Sequence, residues 1–244
     1  MKAVILAGGL GTRLAPYTIA FPKPLLPIGE LPIIEVVLRQ LRWYGIHEVI
    51  ISVGYLAELI EAYFATRGGI PGLQISYLRE HEPLGTAGAL GMIPHVDDDL
   101  LVMNGDLVTT LNYADLIAHH RAERPAMTIA VSPRTVQIDL GVLEIDAKSA
   151  IVGYAEKPTL SYNCSMGIYM YSPRATRMIE PGKYLDLPDL VKRLLERDEQ
   201  VLAYQSDCYW LDIGRREDFD RAQAEFPKMR SLLLPDEHAT EPQP

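Results

Sequence analysis

The chain is 244 residues long, 48% hydrophobic, with a formal net charge of −9. Such a length can bury one large core, or a core with a small appendage. The acidic balance argues against a nucleic-acid or anionic-membrane partner, since those are bound through excess Lys and Arg, so a polyphosphate must be met by a local cationic cluster and by metal. The first predicted element is an apolar strand over 2–7, which runs into Gly8, Gly9, Gly11, Arg13 and, after Pro16, Lys23 between Pro22 and Pro24. Apolar residues at helical spacing predict a helix over 33–43, stopped by Gly45. A strand over 49–53 follows, then a helix over 56–64, a strand over 73–78, a short helix over 86–93 and a strand over 100–103. This alternation predicts a parallel sheet covered on both faces, with ligands beyond the carboxyl ends of its strands.

After residue 126 the rhythm changes. Strands are predicted over 127–131, 141–145, 151–155 and 167–171 with little helix between them, then helices over 187–197 and 215–225. The fold expected is α/β: a Rossmann-like mixed, mainly parallel sheet flanked by helices, with a small antiparallel extension. From Pro227 onward, prolines among charges read as a flexible tail, leaving a single domain over 1–226 and a tail over 227–244. Cys164 and Cys208 form no C-x-x-C or zinc spacing, and neither an export signal nor a run of about 18 apolar residues appears, which together predict a reduced, cytoplasmic protein.

Gly8, Gly9 and Gly11 let backbone amides approach an anion closely, and Arg13 and Lys23 add positive charge beside them. A Walker A loop is excluded because no Lys follows Gly11, and a dinucleotide fingerprint fails at Leu14. Asp106 follows Gly105 at a strand end, where a carboxylate suits Mg²⁺. Asp212 sits in Trp210-Leu-Asp-Ile-Gly214 as a second isolated acid. The run 97–99 of three Asp residues reads as a solvated turn. None of the six histidines forms a relay, so surface or capping roles are expected for them.

The run from Leu6 to Leu14, with Pro22-Lys-Pro-Leu25 and Pro32-Ile-Ile-Glu35, resembles the signature of the sugar-1-phosphate nucleotidylyltransferases. Within that family it resembles the short bacterial members of the mannose-1-phosphate guanylyltransferase type. The resemblance implies a nucleotidyltransferase type-A-like fold in which Leu6, Ala7, Gly8, Gly9, Gly11 and Thr12 embrace an NTP while Arg13 and Lys23 hold its phosphates. It also implies that Asp106 and Asp212 share Mg²⁺, and that Gly85, Thr86 and their neighbours lie against the base. In the E-K-P run, Glu156 would meet sugar hydroxyls and Lys157 the sugar phosphate; Gly141, Ser165 and Asp212 would complete that subsite, Ser165 replacing the usual Asn.

Glu80 falls where such proteins carry a polar base reader. A carboxylate only accepts, and guanine presents N1–H and N2–H₂ side by side, so GTP is favoured over UTP or dTTP. The reaction implied joins an NTP to a mannose-, glucose- or heptose-1-phosphate, giving an NDP-sugar and pyrophosphate, with Arg13, Lys23, Asp106 and Lys157 carrying it. Uridylyl, thymidylyl, cytidylyl or adenylyl transfer, and a nucleotide-sugar-sensing subunit without turnover, are the alternatives. A choline-type cytidylyltransferase lacks its aromatic box here. Such proteins assemble as dimers or tetramers, so a homo-oligomer is expected.

Overall fold

The computed structural model describes residues 1–94 and 97–235. In chain order its first half contains β1 (Lys2–Ala7), α1 (Tyr17–Ala20), the short pair β2 (Pro27–Ile28) and β3 (Leu31–Pro32), α2 (Ile33–Trp43), β4 (Glu48–Val53), α3 (Ala57–Thr66), β5 (Gln74–Arg79), α4 (Gly85–Gly88) and β6 (Leu100–Asn104). The second half contains β7 (Leu107–Thr109), α5 (Tyr113–Glu123), β8 (Met127–Gln137), β9 (Val142–Ile145), β10 (Ile151–Ala155) and β11 (Thr159–Tyr171). It closes with α6 (Pro173–Thr176), α7 (Leu187–Leu195), β12 (Val201–Gln205), β13 (Trp210–Asp212) and α8 (Arg216–Leu233).

Seven strands form one sheet in the order β12-β8-β11-β6-β1-β4-β5. Every pairing in it is parallel except those of β11 with β6 and β8, so β11 alone runs against the rest. This is the mixed, mainly parallel α/β sheet that the strand and helix rhythm predicts. β1 lies between β6 and β4, and Ala3, Val4 and Ile5 are fully buried because helices cover both faces. Burying one such aliphatic side chain contributes about 1.5–3 kcal/mol. On one face Ile5 packs with Leu38, Leu41, Ile51 and Ile60; on the other Val4 packs with Leu100, Val102, Tyr171 and Leu190.

A third apolar cluster lies off the sheet and joins Leu14, Ile28, Ile33, Leu211, Phe226 and Leu233. It ties the glycine loop to α8. Accordingly α8 does not stop where the tail was expected to start: it continues through Pro227 to Leu233, with Leu233 and Leu234 buried. The folded part therefore extends beyond Phe226. Pro242, Pro244 and His238 lie outside the described residues, as does His95.

Other expectations shift for local reasons. The helix expected over 86–93 divides into α4 and a 3₁₀ turn at Ala89–Met92, where a Cβ on Gly88 would sit 2.5 Å from the Lys183 carbonyl oxygen. β8 and β11 run well past their buried cores as an exposed arm, and β9 and β10 pair antiparallel beside it. β7, β12 and β13, too short or too mixed in polarity to read as strands, pair through long-range contacts. His120 is 1% exposed rather than a surface residue, and Asp99 faces it instead of standing free in a turn. Among the described residues no helix is long and apolar enough to cross a membrane.

Candidate active site

The carboxyl ends of β1, β4, β5 and β6 deliver Gly8, Gly54, Glu80 and Asn104 to one cleft of about 740 Å³. Strand register brings them together, since Leu6 pairs with both Ser52 and Asn104. Close backbone approach is built in here: a Cβ on Gly54 would lie 3.0 Å from the Gly8 carbonyl oxygen, and one on Gly8 would lie 2.9 Å from Glu80 Oε1.

Gly11 takes φ +62°, in the left-handed region that an L side chain disfavours. Its carbonyl oxygen accepts from the Leu14 amide at 2.9 Å and from Thr18 Oγ1 at 2.8 Å. Leu14, 1% exposed, plugs into the third apolar cluster. The loop is thus pinned at its far end while Gly9 and Leu10 stay exposed. Leu6, Ala7, Gly8, Gly9, Gly11, Thr12, Arg13, Lys23, Glu80, Gly85, Thr86 and Asp106 all line the same cleft.

Its electrostatic centre is Lys23. The ammonium contacts Asp106 Oδ2 directly and stands 3.9 Å from Asp212 Oδ1, and only 11% of its side chain is exposed. The two acids meet because β13 pairs with β7, setting Asp212 opposite Leu107, the residue after Asp106. Asp106 Oδ1 is buried without a hydrogen-bond partner. Burial, then repulsion from Asp106, raises the Asp212 carboxyl above its ordinary range, against the opposing pull of Lys23 and Arg13. A Cβ on Gly214 would lie 3.6 Å from Arg13 Nη2, so Arg13 reaches across toward the Trp-x-Asp-x-Gly turn.

That arrangement fits a divalent cation. One acid keeps an unpartnered buried oxygen, the other resists ionising beside it, and Mg²⁺ takes one or two carboxylates and completes its shell with phosphate and water. Among the described residues no group of three or more His, Cys, Asp or Glu could hold a metal alone. Such a cation would depend on substrate oxygens.

At the base end, Glu80 is fixed in place. Oε1 accepts from Ser52 Oγ at 2.6 Å and Oε2 from the Leu84 amide at 3.2 Å. The turn at Gly85 has φ +77° and is anchored from a distance, with Asp186 Oδ1 accepting from the Thr86 amide at 3.1 Å. Hydrogen bonds from Tyr184 and then Thr86 hold the Asp186 carboxyl below its usual range.

The residues expected for the sugar phosphate are more dispersed. Gly141, Glu156 and Lys157 are exposed beside β9 and β10 and do not line the cleft. Glu156 accepts from Tyr154 at 2.6 Å, and Lys157 has φ 46°. Ser165 Oγ donates to Tyr169 Oη at 3.1 Å and accepts from the Gly167 amide at 3.3 Å, so it closes a bulge in β11. Gly167 takes φ +74° there, and a Cβ on it would lie 2.7 Å from Asn104 Nδ2.

Gly54 and Tyr55 also line the cleft and were not foreseen; Asn104 and Gly214, two residues from Asp106 and Asp212, line it as well. Gly54 and Asn104 end parallel strands, the same signal that marks Glu80 and Asp106. Asp186 carries no such signal, lying 100 residues from the Thr86 that it anchors.

Known proteins resemble this chain in sequence and fold. A profile of the family described as Nucleotidyl transferase matches residues 2–228. A UTP–glucose-1-phosphate uridylyltransferase of Synechocystis is 34% identical, over 91% of this chain and 62% of its own length. A mannose-1-phosphate guanylyltransferase of Mycobacterium tuberculosis is 33% identical, over 93% of this chain and 64% of its own. The chain therefore spans somewhat under two thirds of these curated relatives. Among solved structures, HddC from Yersinia pseudotuberculosis complexed with GMP-PN superposes with a TM-score of 0.69 at 26% identity, covering 92% of this chain and 99% of that one.

Proposed function

Because the chain belongs to the nucleotidyl transferase family, we propose that it transfers a nucleotidyl group from an NTP to a sugar 1-phosphate, releasing pyrophosphate. The observation that carries the reading is Lys23 held between Asp106 and Asp212 at the mouth of the glycine loop, beside Arg13. A sugar-phosphate oxygen attacks the α-phosphorus, and the bond to the bridging oxygen of the β-phosphate breaks. The phosphate monoester has a second pKa near ~6, so no base is needed to ionise the nucleophile. Positioning and charge neutralisation are what the protein must supply.

In this reading Arg13 and Lys23 neutralise the departing pyrophosphate, while the loop amides from Gly8 to Thr12 orient the triphosphate. Asp106 and Asp212 would hold Mg²⁺, which supplies charge neutralisation at the phosphates. With both carboxylates engaged by such a cation, the Lys23 ammonium, here held against Asp106, would be left to neutralise the departing pyrophosphate. Lys157 and Glu156 meet the sugar phosphate from the exposed arm, so the acceptor half of the site is completed when substrate bridges arm and cleft.

GTP is the preferred donor in this proposal. Glu80, steadied by Ser52 and the Leu84 amide, keeps lone pairs that suit the N1–H and N2–H₂ edge of guanine. Mannose, glucose or heptose 1-phosphate is the acceptor class, and the working protein is a cytoplasmic dimer or tetramer. The test is pyrophosphate release with GTP, ATP, CTP, UTP and dTTP against those three acceptors. Release in any combination supports the reaction, and a clear preference for UTP or dTTP removes the base assignment. No release in any combination removes the reaction itself.

A further inference from the structure

A second cavity, of about 570 Å³, opens at the opposite end of the main sheet. It lies where β6 and β8 begin and where the reversed strand β11 ends, whereas the glycine loop follows β1 at the other end of the sheet, beside the end of β6. Arg121, Arg124 and Arg174 line it, opposed by the Asp99 carboxylate in the wall and by Glu199 on Arg174. A net basic hollow stands out on a chain with a net charge of −9.

Its floor contains buried polar groups left without partners. His120 is 1% exposed; its Nδ1 sits 2.7 Å from Thr128 Oγ1, while Nε2 has no hydrogen-bond partner and lies 3.6 Å from Asp99 Oδ1. Ser172 is 7% exposed, and its Oγ is likewise buried and unpartnered. A buried polar group left unpaired costs roughly 1–3 kcal/mol, so Ser172 Oγ, and His120 Nε2 beyond its 3.6 Å approach to Asp99, would each gain from an acceptor brought by a ligand.

Arg174 is held in place. Arg174 Nη2 donates to the Arg124 carbonyl oxygen at 2.6 Å, and Nη1 is 3.2 Å from Glu199 Oε2. Arg124 ends α5 at φ 52°, a position that ordinarily takes Gly.

We infer that this cavity is a second ligand site, separate from the nucleotide cleft, for a phosphate-bearing small anion, with His120 Nε2 and Ser172 Oγ as buried donors and Arg121, Arg124 and Arg174 as counter-charge. Guanidinium forks match phosphate oxygens, and the several terminal oxygens of a phosphate can accept from Arg, imidazole and hydroxyl together. The donor set is the same for a free phosphate ion and for a phosphorylated sugar.

The test follows the assigned imidazole Cε1–H signal of His120 by NMR while the full chain is titrated, at constant ionic strength, with inorganic phosphate or with a hexose 6-phosphate. We expect a saturable shift that persists in Lys23→Ala, whose lesion is in the nucleotide cleft. Arg124→Gly should weaken binding about tenfold, the worth of one charge-assisted hydrogen bond. Because glycine suits φ 52°, that variant should still fold. Ser172→Ala should weaken binding in the same direction. Tighter binding of the hexose phosphate would identify a sugar ester as occupant, and tighter binding of inorganic phosphate the free ion. The absence of saturation with both probes would overturn the site, as would a shift lost in Lys23→Ala but kept in Arg124→Gly.

Discussion

Asp106→Asn tests the centre of the proposed chemistry. The substitution keeps shape and removes one negative charge from a side chain that is 21% exposed and in contact with Lys23. Two unit charges roughly 4 Å apart interact by about 4 kcal/mol at an effective dielectric near ~20. If solvent screening leaves half of that, turnover falls by ~30-fold; if it leaves all, by ~10³-fold. We expect a loss of ~10²-fold or more in pyrophosphate release at saturating Mg²⁺ and both substrates. The fold should hold, because Asp212 Oδ1 still stands 3.9 Å from the Lys23 ammonium. Thermal melting of the variant beside the parent separates lost chemistry from lost structure. Near-parental turnover from a folded variant would refute the role assigned to this carboxylate.

Asp212→Asn should lower activity yet raise the melting temperature at neutral pH. The folded Asp212 carboxyl is shifted upward, so the folded state binds its proton more tightly than the unfolded chain does, and stability falls as pH rises from 3.8 through the shifted value. Removing the group should abolish that part of the fall, and melts recorded from acid to neutral pH will show whether the gain vanishes below the window. Gly8→Ala places a methyl 2.9 Å from Glu80 Oε1. Overpacking of about 1 kcal/mol should raise KM for the nucleotide about fivefold, and an unchanged KM would mean that Glu80 moves freely. Gly167→Ala forces a side chain into φ +74° and to 2.7 Å from Asn104 Nδ2. It should cost about 1–3 kcal/mol, measured by urea unfolding.

Local patterns made the parallel half of the fold legible. β1, β4 and β6 are short apolar runs buried on both faces, so their hydrophobicity alone marks them, and Gly8 and Asp106 follow as strand-end residues, as Glu80 does after the more exposed β5. What escaped depends on pairing across long distances. Trp210, Leu211 and Asp212 form a strand only because Thr109, Val108 and Leu107 lie opposite, and nothing local announces that ladder. Asp186 is drawn to Thr86 by the folding of α7 against α4. His120 on α5 shows the same limit: its helix carries too little amphipathic signal to reveal that this imidazole faces inward against Thr128. Pro227 misled in the opposite sense, since apolar contacts at Phe226, Leu233 and Leu234 sustain the helix through it.

The bulge in β11 bears on how such a protein could diversify. Pairing with β8 runs continuously from Thr159 to Ser165, breaks, and resumes at Tyr169. On one side of the break the strand is locked into the core against β6; on the other it is exposed arm. An interruption of this kind works as an expansion joint. Changes of sequence, length or twist in the arm are absorbed at Ser165–Gly167 before they reach the register that positions Asn104 and Asp106. Under the proposed function, acceptor preference would then drift by alteration of the arm alone, while the half assigned to the phosphates stays under constant constraint.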